Sequence, residues 1–152
     1  FTIPKKLAKN FCLINTGKPE ETTKQMVEMV SSKFKIQNSK FKEIFDSQEQ
    51  LVKELLPASK NSDENQLIQI IRAGEKNLEA LGVVSPSVKA IIRKIENMGG
   101  AAKVCGAGGK TGPTGVLLCY HSKPSAIEDI AKSHNLDYFK TTLGVQGLRQ
   151  DN

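Results

Sequence analysis

The chain has 152 residues, 38% of them hydrophobic and 25% charged, which suits one domain with an ordinary core and excludes disorder along its whole length. Three widely spaced cysteines exclude a disulfide framework and paired zinc ligands, and no apolar run approaches the roughly 18 residues of a membrane helix. The formal charge of +6 comes from lysines scattered among acidic residues, which reads as a solvated face ahead of a nucleic-acid site and favours an anionic ligand at most.

Phe1-Thr2-Ile3-Pro4 lacks the basic and apolar regions of a signal peptide, and a start at Phe is expected of a fragment or a processed chain. Phe11-Cys12-Leu13-Ile14 then reads as a buried strand that delivers Asn15 and Thr16 to one end of a sheet, with Gly17 opening a turn. Pro19-Glu20-Glu21 has the proline and early carboxylates of a helix start, and Met26, Val27, Val30 and Phe34 supply its apolar face. Thr22 and Thr23 fall in the first turns, where their hydroxyls serve a ligand or the backbone, the backbone being favoured. Lys33, Lys35, Lys40 and Lys42 form a loose basic cluster beside Phe34 and Phe41. Amphipathic packing explains those two rings as well as base stacking does.

A second helix is expected over Phe41–Leu56, stopped by Pro57. Asn61 and Glu64 stand at capping-box spacing before a third, whose stripe of Leu67, Ile71, Leu78 and Leu81 ends at Gly82. Ser85-Pro86 is a strong start for a fourth, with Val88, Ile91, Ile92, Ile95 and Met98 inward and Gly99-Gly100 as its stop. Ala101–Cys105 and Gly115–Tyr120 then read as neighbouring strands joined by a long loop. Pro124 opens a short helix carrying Ile127, Ile130 and Ala131, and Tyr138–Leu143 is a last β-prone segment. The sum is an α+β fold, several helices packed on one face of a small, mainly antiparallel sheet. Cys12, Cys105 and Cys119 each have apolar neighbours and are expected to be reduced core residues in a cytoplasmic protein.

The long loop carries the chemistry. Gly106 to Gly115 holds five glycines in ten residues, and glycines let successive N–H groups converge on a phosphate oxygen. Gly106, Ala107, Gly108 and Gly109 are therefore the leading ligand candidates, with Lys110 and Thr111 beside them. Gly109-Lys110-Thr111 is not a nucleoside-triphosphate P-loop, because the glycine that motif requires falls at Val104. His121 and His134 have no metal-site spacing and either suits an exposed loop. No serine sits in a nucleophile elbow.

Gly100–Gly109 followed by the strand Gly115–Cys119 resembles the C-terminal signature of the galactokinase, homoserine kinase, mevalonate kinase and phosphomevalonate kinase (GHMP) superfamily, with mevalonate kinase the nearest member. Leu13–Gly17 with Thr22-Thr23-Lys24, the stretch Asn77–Pro86, and Gly144–Arg149 at the chain end are similar to other parts of the same domain, in the same order. The loop departs from the family at Lys110-Thr111-Gly112-Pro113-Thr114, where more glycine and then a small residue are usual.

The resemblance implies a ferredoxin-like C-terminal domain forming one wall of a cleft, with Gly106–Gly109, Lys110 and Thr111 near the phosphates and Asn15, Thr16, Thr22 and Thr23 on the substrate side. It implies that an N-terminal domain, absent from residues 1–152, binds most of the ATP and Mg²⁺ and carries the catalytic groups, so that no catalytic or metal-ligating residue is expected here. Lys103 is expected to be structural or at the cleft edge. The implied reaction moves the ATP γ-phosphoryl group to mevalonate, giving 5-phosphomevalonate, and the isolated chain is expected to be inactive. Phosphomevalonate kinase is the nearest alternative, and diphosphomevalonate decarboxylase or a sugar kinase comes behind it. A non-catalytic binding domain is the alternative of another class. Expected partners are the N-terminal domain, a small alcohol or phosphate and a second copy in a homodimer, without nucleic acid or membrane.

Overall fold

The computed structural model describes residues 3–144. In chain order these form α1 (Lys5–Ala8), β1 (Phe11–Asn15), α2 (Thr23–Ile36), α3 (Asn38–Lys60), α4 (Glu64–Leu81), α5 (Pro86–Asn97), β2 (Ala101–Val104), β3 (Val116–Tyr120), α6 (Pro124–Ser133) and β4 (Asp137–Lys140). The strands make one antiparallel sheet in the order β2-β3-β1-β4, a ferredoxin-like arrangement whose first crossover holds α2 to α5. The α+β class read from the sequence is the class observed.

Alternation along the strands divides the core. Cys12, Ile14, Ala102, Val104, Leu117 and Cys119 point to the face covered by α5 and α6, where Ile91, Ile92, Ile95, Ile127 and Ala131 meet them. Phe11, Ala101 and Tyr120 point the other way and pack with Leu7 of α1 and with Leu67 and Ile71 of α4. Helices therefore meet the sheet from both sides, not from one face as the sequence suggested. One cross-strand row on the second face, Lys103, Leu118, Leu13 and Phe139, is only partly covered, and the Phe139 side is half exposed.

Several boundaries differ from the expectations. Helix α2 starts after Thr22, whose hydroxyl accepts from the Gln25 amide while the Gln25 side chain accepts from the Thr22 amide. This capping box defeats the Pro19–Glu21 start. Helix α3 runs through Pro57 to Lys60, because a proline in the last turn removes one bond and the amide of Asn61 still reaches the Pro57 carbonyl. Asp63, not Asn61, caps α4 through the Gln66 amide at 2.9 Å. The last strand begins one residue early and ends at Lys140, and α1 had no counterpart in the sequence reading.

The Gly82 stop and the Ser85-Pro86 start are as expected. Phe41 is buried and Phe34 packs on Phe45 at 5.9 Å between ring centroids, so these rings belong to helix packing. Cys12 and Cys119 are buried but Cys105 is exposed, since it lies past the end of β2 where the glycine loop leaves the sheet. His121 is buried too: its Nδ1 accepts from the Lys123 amide and its Nε2 faces the Met98 carbonyl at 2.9 Å. The similarity noted at Gly144–Arg149 lies, beyond Gly144, outside the described residues.

Candidate functional site

The glycine loop is an anchored turn rather than a slack connection. The Cys105 amide still bonds the Val116 carbonyl at 2.8 Å, and the Gly109 amide reaches the Val83 carbonyl at 2.9 Å. Gly108 sits at φ 72°, and a Cβ there would collide with that same carbonyl, so only glycine fits. Farther on, the Gly112 carbonyl accepts from the hydroxyls of Ser85, at the N-cap of α5, and Ser87, in its first turn. Ser85 also caps that helix through the Val88 amide, so one hydroxyl ties helix start to loop.

The far side of the loop is held by Thr16. Its hydroxyl donates to the Gly115 carbonyl at 2.7 Å and accepts from the Thr114 amide at 3.0 Å, and its own amide bonds Gly115 as well. The Asn15 carboxamide accepts from the Gly17 amide and closes the turn that sends the chain across the loop. Segment 17–21 thereby lies alongside residues 109–112.

Glu21 then meets the loop. Its carboxylate accepts from the amides of Lys110 and Thr111, both at 3.2 Å, and from the Thr111 hydroxyl at 2.9 Å. Glu20 lies 3.0 Å from the same hydroxyl, whose single proton is shared between the two carboxylates. Partial desolvation pushes the Glu21 carboxyl up, but the Thr111 hydroxyl and the loop amides outweigh it and hold the group below the usual carboxylate range. The amides of Lys110 and Thr111, just past the four residues Gly106–Gly109, thus converge on an anionic oxygen pair, while the Gly109 amide is taken by Val83. The anion is a side chain of the same molecule.

Behind the loop, helix α4 fastens β2. Arg72 donates to the carbonyls of Gly100 and Glu96, and Glu75, fully buried, accepts from the Val104 amide at 2.9 Å. Burial pushes the Glu75 carboxyl up to about 7, with Val104 and the nearby Lys103 and Arg93 opposing and Glu79 assisting. The Lys103 ammonium donates to the Val104 carbonyl at 3.2 Å, a structural contact beside the loop. Lys103 also edges an apolar groove of about 710 Å³ under α3, lined by Leu51, Leu55, Ile70 and Leu118 among others.

The structure brings most of the expected residues together. Gly108 and Gly109 are buried at the base of the loop, while Gly106, Lys110 and Thr111 are exposed at its rim and Ala107 lies between. Asn15 and Thr16 shape the loop rather than face solvent. Thr22 caps α2, and Thr23, its first residue, is exposed. Sequence reasoning missed Glu20 and Glu21 as loop contacts, having assigned them to a helix start, and it missed Glu75. A lone glutamate within the apolar stripe of α4 was the available signal. Among the described residues no group of three or more His, Cys, Asp or Glu side chains is placed to hold a metal ion, and no helix is long and apolar enough to cross a membrane.

Topology and turn together define a ferredoxin-like α+β domain with an anchored glycine loop. The chain belongs to the GHMP kinase family: the model "GHMP kinases C terminal" matches residues 41–136, more than half of its length. No curated protein matches it. Among solved structures, the Lin0012 protein from Listeria innocua is similar at TM-score 0.78 and 19% identity, over 89% of this chain and 39% of that one. Mevalonate kinase from L. major, solved with R-mevalonate, is similar at 0.74 and 19%, over 89% and 43%. Phosphomevalonate kinase from Streptococcus pneumoniae, solved with phosphomevalonate and AMPPNP, is similar at 0.64 and 18%, over 84% and 37%. The chain therefore spans less than half of each of these proteins, and at such identities the likeness is one of fold.

Proposed function

We propose that this chain is the C-terminal, cleft-forming part of a mevalonate kinase, an enzyme that transfers the γ-phosphoryl group of ATP to mevalonate and gives 5-phosphomevalonate. The observation that carries the reading is the convergence of the Lys110 and Thr111 amides on a carboxylate. A phosphoryl oxygen has the same charge and accepts the same bonds, so the loop residues fit a phosphate. ATP with Mg²⁺ would supply the transferable group and neutralise its charge; both are assigned mainly to an N-terminal domain. Gly106–Gly109, with Lys110 and Thr111, would orient a phosphate and exclude water from one side, and amides fixed before the reaction need not reorganise during it.

Asn15, Thr16, Thr22 and Thr23 stand on the side we assign to the acceptor. Thr23 is the one among them whose hydroxyl has no capping or loop-holding bond, and it is the best placed to meet a ligand. The partly covered row of Leu13, Leu118 and Phe139 and the groove under α3 make an apolar surface that the other domain would cover. The cytoplasm is the expected compartment, and a homodimer is an expected assembly. Phosphomevalonate kinase is the second reading, favoured by a loop that addresses phosphate rather than the acceptor alcohol and by the likeness to the Streptococcus pneumoniae enzyme.

The test is ADP release by the 152-residue chain, alone and joined to a phosphate-loop-bearing N-terminal half, with mevalonate or phosphomevalonate as acceptor. The joined protein should turn over mevalonate and the chain alone should not. Turnover by the isolated chain sinks the division of labour, and turnover with phosphomevalonate alone selects the second reading.

A further inference from the structure

Glu21 is an unusual neighbour for a loop that is to receive phosphate. Its carboxylate takes up the two amides and the hydroxyl that face the rim, and Glu20 adds a second negative charge at Thr111. A phosphoryl oxygen and the Glu21 carboxylate cannot use the same N–H groups together, and like charges at such separations repel.

The loop does not depend on Glu21 for its shape. Gly109 is held by Val83, Gly112 by Ser85 and Ser87, Cys105 by Val116, and Thr114 with Gly115 by Thr16. Helix α2 does not depend on it either, because Thr22 and Gln25 complete their own capping box. Glu21 sits on an irregular stretch between the Gly17 turn and that cap, where a change of rotamer is enough to release it. Its bonds to the amides are long and lie at the exposed rim. They form when nothing better is present and are readily exchanged for a phosphoryl group, which offers more charge and three oxygens.

We propose that Glu21, backed by Glu20, is a resident competitor at the glycine loop, occupying the Lys110 and Thr111 amides until a ligand phosphoryl group displaces it. This rests on the reading of the loop as a phosphate contact. The competitor satisfies these amides and sets a threshold that singly charged anions fail to cross. Polyphosphates, or phosphate groups presented by another domain, cross it.

The experiment is a titration of the ¹⁵N-labelled 152-residue chain with inorganic tripolyphosphate, following the amide signals of Lys110 and Thr111. Wild type is compared with Glu21→Ala, Glu21→Gln and the double variant Glu20→Ala/Glu21→Ala. Without ligand, the two amide shifts of wild type should follow the protonation of Glu21 at acid pH, and in both Glu21→Ala proteins that response should vanish. With tripolyphosphate, the alanine variants should bind roughly threefold to tenfold more tightly than wild type, with the glutamine variant between. Loop amides that respond to tripolyphosphate equally or more weakly in the variants overturn the competitor and leave the phosphate reading standing. Loop amides that respond in none of the four proteins overturn both. A Glu21→Ala chain that fails to fold would show the contact to be structural and also defeat the proposal, provided Glu21→Gln binds no more tightly than wild type.

Discussion

Arg72 and Glu75, three residues apart on one face of α4, grip opposite ends of β2: the guanidinium holds the Gly100 carbonyl before the strand and the carboxylate holds the Val104 amide at its end. An edge strand would otherwise present these groups to a neighbour. The second grip stands immediately ahead of the glycine loop, so the position of the loop's first residue is set from α4.

Glu75 gives this grip a pH dependence. Its carboxyl is raised to about 7 by burial, so between the unfolded value and pH 7 the folded chain keeps a proton that the unfolded chain has lost. Stability is then full below about pH 4.5 as far as this group is concerned, falls as pH rises toward 7 and levels off above it, for a loss on the order of 3 kcal/mol. Urea midpoints at pH 5 and pH 8 should differ accordingly, and Glu75→Gln, which keeps the acceptor without the charge, should abolish this contribution. Glu75→Ala leaves the Val104 amide unpaired and should cost about 1–3 kcal/mol even at pH 5.

Two glycines of the loop should respond differently to alanine. Gly106 and Gly108 both have positive φ, but nothing crowds a Cβ at Gly106 whereas the Val83 carbonyl blocks one at Gly108. Gly106→Ala should lower stability by about 1–2 kcal/mol, from backbone strain alone. Gly108→Ala should exceed that and break the Gly109–Val83 hydrogen bond, visible as faster amide exchange at Gly109.

The threonines of the first turn separate structure from binding. Thr16→Val strands the Thr114 amide and should cost about 1–3 kcal/mol. Thr22→Ala removes a helix cap and should cost about 1 kcal/mol. Thr23→Ala should change thermal stability by less than about 0.5 kcal/mol. A fall in kcat or a rise in KM for the acceptor in the joined kinase with Thr23→Ala would therefore report on ligand, and unchanged values of both would remove Thr23 from the acceptor side.

Ser85→Ala removes a helix cap and an anchor of Gly112 together. A loss of about 1–2 kcal/mol by urea denaturation is expected from the cap alone. If the anchor matters as well, the amide signals of Lys110 to Gly112 should broaden or shift while those of α6 stay fixed.

The fold was legible in the sequence to the extent that its local signals were strong. Ser85-Pro86 and Gly82 marked helix ends without competition, and the small-residue run at Ala101 gave the strand its place. Pro57 misled because a breaker in a final turn costs one bond and not a helix. Pro19-Glu20-Glu21 misled more deeply: proline and carboxylates suit a helix start, yet Thr22 with Gln25 made a better one, and the carboxylates were left to bond with a loop some ninety positions away. A contact of that range has no periodicity to betray it. Glu75 was half legible: its place in the apolar stripe of α4 marked it as buried, but its partner is a backbone amide that nearly any residue at Val104 would supply, so the contact itself left no mark.

The sheet order has a kinetic side. Strand β1 lies in the middle of the sheet and pairs with β3 at Phe11–Tyr120 and with β4 at Cys12–Lys140, so neither neighbour exists until most of the chain has been made. Helices α2 to α5 can begin to form by local contacts while β1 waits, and closing so long a loop carries an entropic cost before any strand pair rewards it. The domain should therefore acquire helical circular dichroism well before its sheet closes. A nascent chain held at the glycine loop would expose Cys12 and Ile14 to any hydrophobic surface at hand.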